Sequence, residues 1–208
     1  ARQTIEVTEP EVTLSAPEST IAGAAFDVAW TGAVHPRDYV TIVPMGAEEG
    51  AYTDYIRVKD RTEGSVRAPA EPGLYEVRYV LQEGGRTLAR QTIEVTEPEV
   101  TLSAPDEIRA GAAIRVEWTG AVHPRDYVTI VPMGDESDRG EYVRVGSRSR
   151  HELPAPETTG LYELRYVLSQ GKRVLASRPI EVLAEDAPLE KGARIEAPET
   201  AAPGATVE

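Results

Sequence analysis

The sequence predicts an all-β chain made of two copies of one Greek-key β-sandwich, each about 88 residues long. Exact repetition is the first observation behind this. The string ARQTIEVTEPEVTLSAP at 1–17 returns unchanged at 89–105, and TGAVHPRDYVTIVPMG at 31–46 returns at 119–134. The second is period-two alternation of apolar and polar side chains, the mark of a strand with one face in a core and the other in water. The third is punctuation. Gly, Pro and Asp clusters cut the chain into short runs, and no stretch has a convincing helical period.

The elements of one copy follow in order. Val12-Thr13-Leu14 is the first predicted strand, closed by Ala16-Pro17, and Ile21-Ala22-Gly23 turns the chain into the second. There Phe26, Val28 and Trp30 alternate with Asp27 and Ala29, as Ile114, Val116 and Trp118 do with Arg115 and Glu117. Trp30 and Trp118 are therefore expected as core anchors, since an indole carries a large apolar area into a core. Residues 32–38 form a turn before the apolar strand at 39–43, which Pro44 and Gly46 stop. Tyr55-Ile56-Arg57-Val58 and Ser65-Val66-Arg67 are the next two strands. At 74–81, Tyr75, Val77 and Tyr79 face the core while Glu76 and Arg78 face water. Gly84-Gly85 closes a hairpin into the last strand at 86–95; the second copy uses Ser169-Gln170-Gly171-Lys172. Pro72-Gly73-Leu74-Tyr75 has the form of a tyrosine corner, with the Tyr75 hydroxyl bonded to backbone upstream and Tyr162 repeating it. Seven short strands and that corner make the predicted sandwich immunoglobulin-like.

The repeats set the boundaries. Residues 1–8 match the last strand of a preceding repeat, 9–96 form the first full repeat and 97–183 the second. Residues 184–193 read as a more acidic linker, and 194–208 match the start of a further repeat. The expectation is a window onto a longer array, with Thr96-Glu97-Pro98 as a tight, semi-rigid joint.

Composition narrows the function. With 35 acidic against 22 basic residues the net charge is −13, which argues against a nucleic-acid partner or adsorption to an anionic membrane. There is no cysteine, so disulfide frameworks, thiolate metal sites and thiol nucleophiles are excluded. No run approaches the ~20 apolar residues of a membrane span, and no direct membrane insertion is expected.

Few residues have the grouping that chemistry needs. His35 and His123 occupy the same Val-His-Pro-Arg-Asp turn, and neither has a second histidine near it in sequence. Arg37–Asp38 and Arg125–Asp126 read as turn-stabilising ion pairs; together with the histidines they are the alternative candidates for a repeated binding loop. Asp135, Glu136, Asp138 and Glu141 supply enough carboxylates for calcium. They lack the alternating spacing of a calcium loop, and Arg139 stands among them, so a solvated variable loop is the favoured reading and calcium the only cofactor left open. No Ser/His/Asp arrangement is legible, and no enzyme is expected.

The order A-W-T-G, D-Y-V-T-I-V-P-x-G, P-G-L-Y-E-V-R-Y-V-L and R-T-L-A-R resembles immunoglobulin-like repeats of bacterial envelope proteins that also carry a von Willebrand factor A domain. A weaker similarity, through residues 38–44, runs to SKICH and other C2-like sandwiches. The first resemblance implies a periplasmic or cell-surface setting. It carries no adhesion chemistry here, because the D-x-S-x-S metal motif is absent. The leading expectation is thus a non-enzymatic spacer, a stalk or surface fibre whose partners are neighbouring repeats and, through self-association, other copies. A ligand- or protein-binding module using the variable loops 47–55 and 135–142 is the second reading. Accessory domains of an enzyme elsewhere in the parent chain are the third.

Overall fold

The computed structural model describes residues 10–137 and 139–189, together with Gln3, Glu6 and Thr8. Most of residues 1–8, the end of the 184–193 linker, all of 194–208 and Asp138 of the candidate calcium loop lie outside the described residues.

Every regular element among the described residues is a strand. The first unit runs β1 (Thr13–Ser15), β2 (Ser19–Ile21), β3 (Ala25–Thr31), β4 (Tyr39–Pro44), β5 (Tyr55–Arg57), β6 (Glu63–Arg67), β7 (Gly73–Val80) and β8 (Thr87–Thr96). The second runs β9 (Thr101–Ser103), β10 (Glu107–Arg109), β11 (Ala113–Thr119), β12 (Tyr127–Pro132), β13 (Glu141–Arg144), β14 (Arg150–Pro154), β15 (Gly160–Leu168) and β16 (Arg173–Leu183). Each unit makes a three-stranded sheet and a five-stranded sheet. The orders are β1-β3-β6 and β2-β8-β7-β4-β5 in the first, and β14-β11-β9 and β10-β16-β15-β12-β13 in the second.

The alternation along β3 decides which face meets the partner sheet. Phe26, Val28 and Trp30 are buried and their neighbours exposed; Ile114, Val116 and Trp118 repeat this in β11. They pack against Val40, Ile42, Val77, Tyr79 and Ile93 of the first five-stranded sheet, and the second unit has its own separate core. Tyr75 and Tyr162 close the lower corner of each. The Tyr75 hydroxyl donates to the Glu71 carbonyl at 2.9 Å, and Tyr162 to Thr158 at 3.0 Å.

Two features depart from the sequence reading. Eight strands form per unit, because Ser19–Ile21 and Glu107–Arg109 are strands rather than part of a turn. Each pairs parallel with the last strand of its unit, Ser19 opposite Glu94 and Glu107 opposite Glu181. Three residues are too few to show a period, and the partner lies far along the chain. Arg78 is also buried, at 1% exposure, although its place in the alternation puts it on the water side. The loop after β4 runs back over that face and covers it. The Arg78 guanidinium bonds the Glu76 carboxylate and the carbonyls of Ala47 and Glu48 at 2.7–2.9 Å. Arg165 holds the equivalent loop through Glu163, Asp135 and Ser137.

Tyr75→Phe removes a single half-buried hydrogen bond and leaves the ring in place. It is expected to lower the stability of the first unit by about 1 kcal/mol, read as a reduced urea midpoint with an unchanged slope.

Candidate functional site

A buried carboxylate organises the upper end of each sandwich, where the turn after β3 meets the β7–β8 hairpin. Asp38 is 1% exposed and Asp126 fully buried. The Asp38 carboxylate accepts from the His35 amide at 2.9 Å, the Gln82 amide at 3.0 Å and the Tyr79 hydroxyl at 3.0 Å. Asp126 accepts from His123, Ser169 and Tyr166 at 2.9, 2.9 and 3.1 Å. These donors take the carboxylates in place of Arg37 and Arg125, so the ion pairs expected from sequence do not form. Each arginine instead donates its backbone amide to the histidine Nδ1 at 3.1 Å. Burial pushes the Tyr79 hydroxyl up to about 12 and raises Tyr166 further, so both stay protonated as donors. Gly32 makes the approach to this turn possible: its φ is +70°, and a Cβ there would lie 2.0 Å from the Glu11 carbonyl oxygen.

The lower end of the first sandwich sits on the upper end of the second. Arg67, at the end of β6, donates Nε to the Gly23 carbonyl at 2.8 Å and reaches across to Ser169 Oγ at 3.2 Å. Its Nη2 is 3.9 Å from Asp126 Oδ1. From the other side Arg173 donates to the Ala70 carbonyl at 2.9 Å and binds both oxygens of Glu97 in the linker. Glycines let the surfaces close. A Cβ at Gly23 would lie 2.5 Å from Leu168 Cδ1, and one at Gly171 would lie 2.9 Å from Ala70 Cβ.

Equivalent residues map this contact by their burial. Leu168 is fully buried while Leu81, its counterpart in the first unit, is half-buried. Val122, His123, Ser169 and Arg173 are half-buried where Val34, His35, Gln82 and Arg86 are exposed. Desolvation at the junction lowers the His123 pKa, and Arg67 and Arg125 lower it further against the pull of Asp126. Desolvation also lowers the Arg67 pKa, whereas the hydrogen bond that Arg173 donates to the Glu97 carboxylate raises that of Arg173.

The variable loops form a second surface. Tyr39, Tyr52 and Tyr55 meet edge-to-face at 5.6–6.2 Å between centroids, and the Arg57 guanidinium lies over the Tyr39 and Tyr55 rings. With Gln82 they line a shallow hollow. The second unit keeps the Tyr127–Tyr142 pair, but Arg139 stands where Tyr52 does and lies 4.6 Å from the Tyr142 centroid. In the candidate calcium loop, Asp135 accepts the Ser137 amide at 2.7 Å, which lowers its pKa, and its carbonyl binds Arg165. Among the described residues no group of three or more His, Asp or Glu converges to hold an ion. No helix among them is long and apolar enough to cross a membrane.

No protein-family model matches the chain, and no curated protein does. Similar solved structures include the BSP domain of a biofilm-associated protein, at 14% identity over 86% of this chain with a TM-score of 0.34. This chain covers 30% of that structure's length. Another is a two-domain fibronectin type-III segment of chicken tenascin, at 18% identity over 83% of this chain and 98% of that one, TM-score 0.33. A third is the Yersinia pseudotuberculosis adhesin InvE, at 13% identity over 83% of this chain and 58% of that one, TM-score 0.32.

Replacing Arg67 and Arg173 together by alanine is expected to let the two sandwiches tumble separately in 15N relaxation, with each unit's own stability kept within about 1 kcal/mol. Acid should act the same way. A histidine whose pKa is lowered by docking resists protonation only in the docked state. The junction is therefore whole above the ordinary value of 6.5 and weakens as pH falls below it. His123→Asn should flatten that pH dependence.

Proposed function

We propose that this chain is a non-enzymatic structural segment of a bacterial surface protein, in which tandem immunoglobulin-like domains are joined end to end as a stalk. The junction is the observation that carries this reading. Two guanidinium groups, a buried leucine and two glycine close approaches fix one domain on the next across a short linker. A freely jointed string needs none of these contacts, whereas a spacer that must hold its reach does. Near-identical copies suit that role, since length comes from using one part again. The resemblance to envelope repeats supports the surface setting.

The exposed Tyr52–Tyr55 patch favours a second reading, a binding surface on the first domain. Tyrosine rings beside an arginine are a usual composition of protein-contact surfaces, and the second domain has lost one ring of the set. Exchanging the loops 47–55 and 135–142 for Gly/Ser segments of equal length separates the two. A stalk keeps the small-angle X-ray scattering profile of an extended two-domain particle, and the parent protein keeps its surface function. Loss of a captured partner with the profile intact would instead establish the binding role. A compact or freely flexing profile for the unaltered chain would reject the stalk.

A further inference from the structure

The upper end of the first sandwich carries the same surface that, in the second, is already docked. The turn at 31–40 is identical to that at 119–128. Asp38 holds it by the same three bonds that Asp126 makes, within about 0.1 Å. Leu81 stands at the place of Leu168, Gly84 at that of Gly171 and Arg86 at that of Arg173. Gly84 shares the left-handed φ of Gly171, at +79° against +68°, and nothing lies within 4 Å of where its Cβ would be. Val34 is 46% exposed. We infer that this end is a preformed socket for the lower end of another domain of the first-sandwich type, docking as the first sandwich docks on the second. The inference rests on the junction described above.

The chemistry of the occupant follows from what the occupied junction uses. It needs an arginine at the place of Arg67 to reach the buried carboxylate, a small residue at that of Ala70, a glycine at that of Gly23 and an acid at that of Glu97. Residues 1–10 repeat 89–98 letter for letter, so Glu9 holds in sequence the place of Glu97. The lower end of the second sandwich does not qualify. Pro154 replaces Arg67, Glu157 replaces Ala70 and Ala184 replaces Glu97. The Glu157 carboxylate lies 3.1 Å from where a Cβ on Gly111 would sit, on the face that Leu168 meets at Gly23. Arg109 bonds the Ala187 carbonyl at 3.0 Å across the same end. The socket therefore selects first-type ends and rejects second-type ones, by loss of a cation and gain of an unmatched anion.

The absence of cysteine makes the test clean. A second copy of residues 9–96 is placed ahead of residue 9 in the full chain, keeping the natural joint. Ala70→Cys in the added copy is paired with Gly84→Cys in the original first sandwich. The reference is the unextended chain with Ala70→Cys and Gly171→Cys, where the matching φ angles impose matching strain. Oxidation at a rate within about tenfold of the reference, lost when the added copy also carries Arg67→Pro, is the expected result. Cross-linking no faster than for an added-copy Ala70→Cys paired with Gly146→Cys, while the reference closes, overturns the socket and leaves the junction standing. Failure of the reference itself overturns the junction, and the socket with it.

Discussion

A carboxylate buried at the end of each sandwich is the constraint on which the rest depends. Asp38 and Asp126 have almost no contact with water, and an ionised carboxylate in that position is costly unless its oxygens are filled by donors. The donors come from three places in the sequence: the amide of the histidine turn, the amide that opens the β7–β8 hairpin, and a tyrosine hydroxyl from the core. Satisfying the charge thus ties two loops to each other and to the packed interior. The end of the domain becomes a fixed surface rather than two independent loops, and a fixed surface is what a neighbouring domain can dock on. The second carboxylate also faces Arg67, so the group that shapes the end also takes part in the contact.

Much of the fold was legible in the sequence. The alternation around Trp30 and Trp118 specified which faces meet, because burial on one face of a sheet leaves a strict period of two. The hairpins and the tyrosine corner were legible through glycine, proline and tyrosine at set offsets. Arg78 departs from the alternation for a definite reason. Alternation reports the two faces of a strand, but a loop laid over the outer face makes both faces interior. The continuous burial from Tyr39 to Val43 reflects the same cover. The parallel strands Ser19–Ile21 and Glu107–Arg109 were illegible for the opposite reason, being defined by pairing partners about 75 residues away.

The site was less legible than the fold. His35, Arg37 and Asp38 stood out as a repeated cluster, yet nothing local tells a buried aspartate from one that pairs with the arginine beside it. The junction had a signal that only comparison between copies reveals. Arg67, Ala70 and Glu97 stand at separate positions where the first sandwich differs from the second, with Pro154, Glu157 and Ala184 in their places. Positions that change together at one end of a domain mark what that end touches.

The short parallel strands also fix how tension passes through the molecule. β2 lies near the entry of the first sandwich and β8 at its exit, and they run side by side in the same direction. Amide-to-carbonyl bonds at Glu94 to Glu18 and Ala22 to Thr96 bracket the pair, each at 2.9 Å, and Glu181 to Asp106 and Ala110 to Leu183 repeat them in the second unit. A pull along the chain slides such strands past one another and loads their bonds together. An antiparallel hairpin pulled from its open end would lose its bonds one after another. Each sandwich thus meets traction with its whole seam at once.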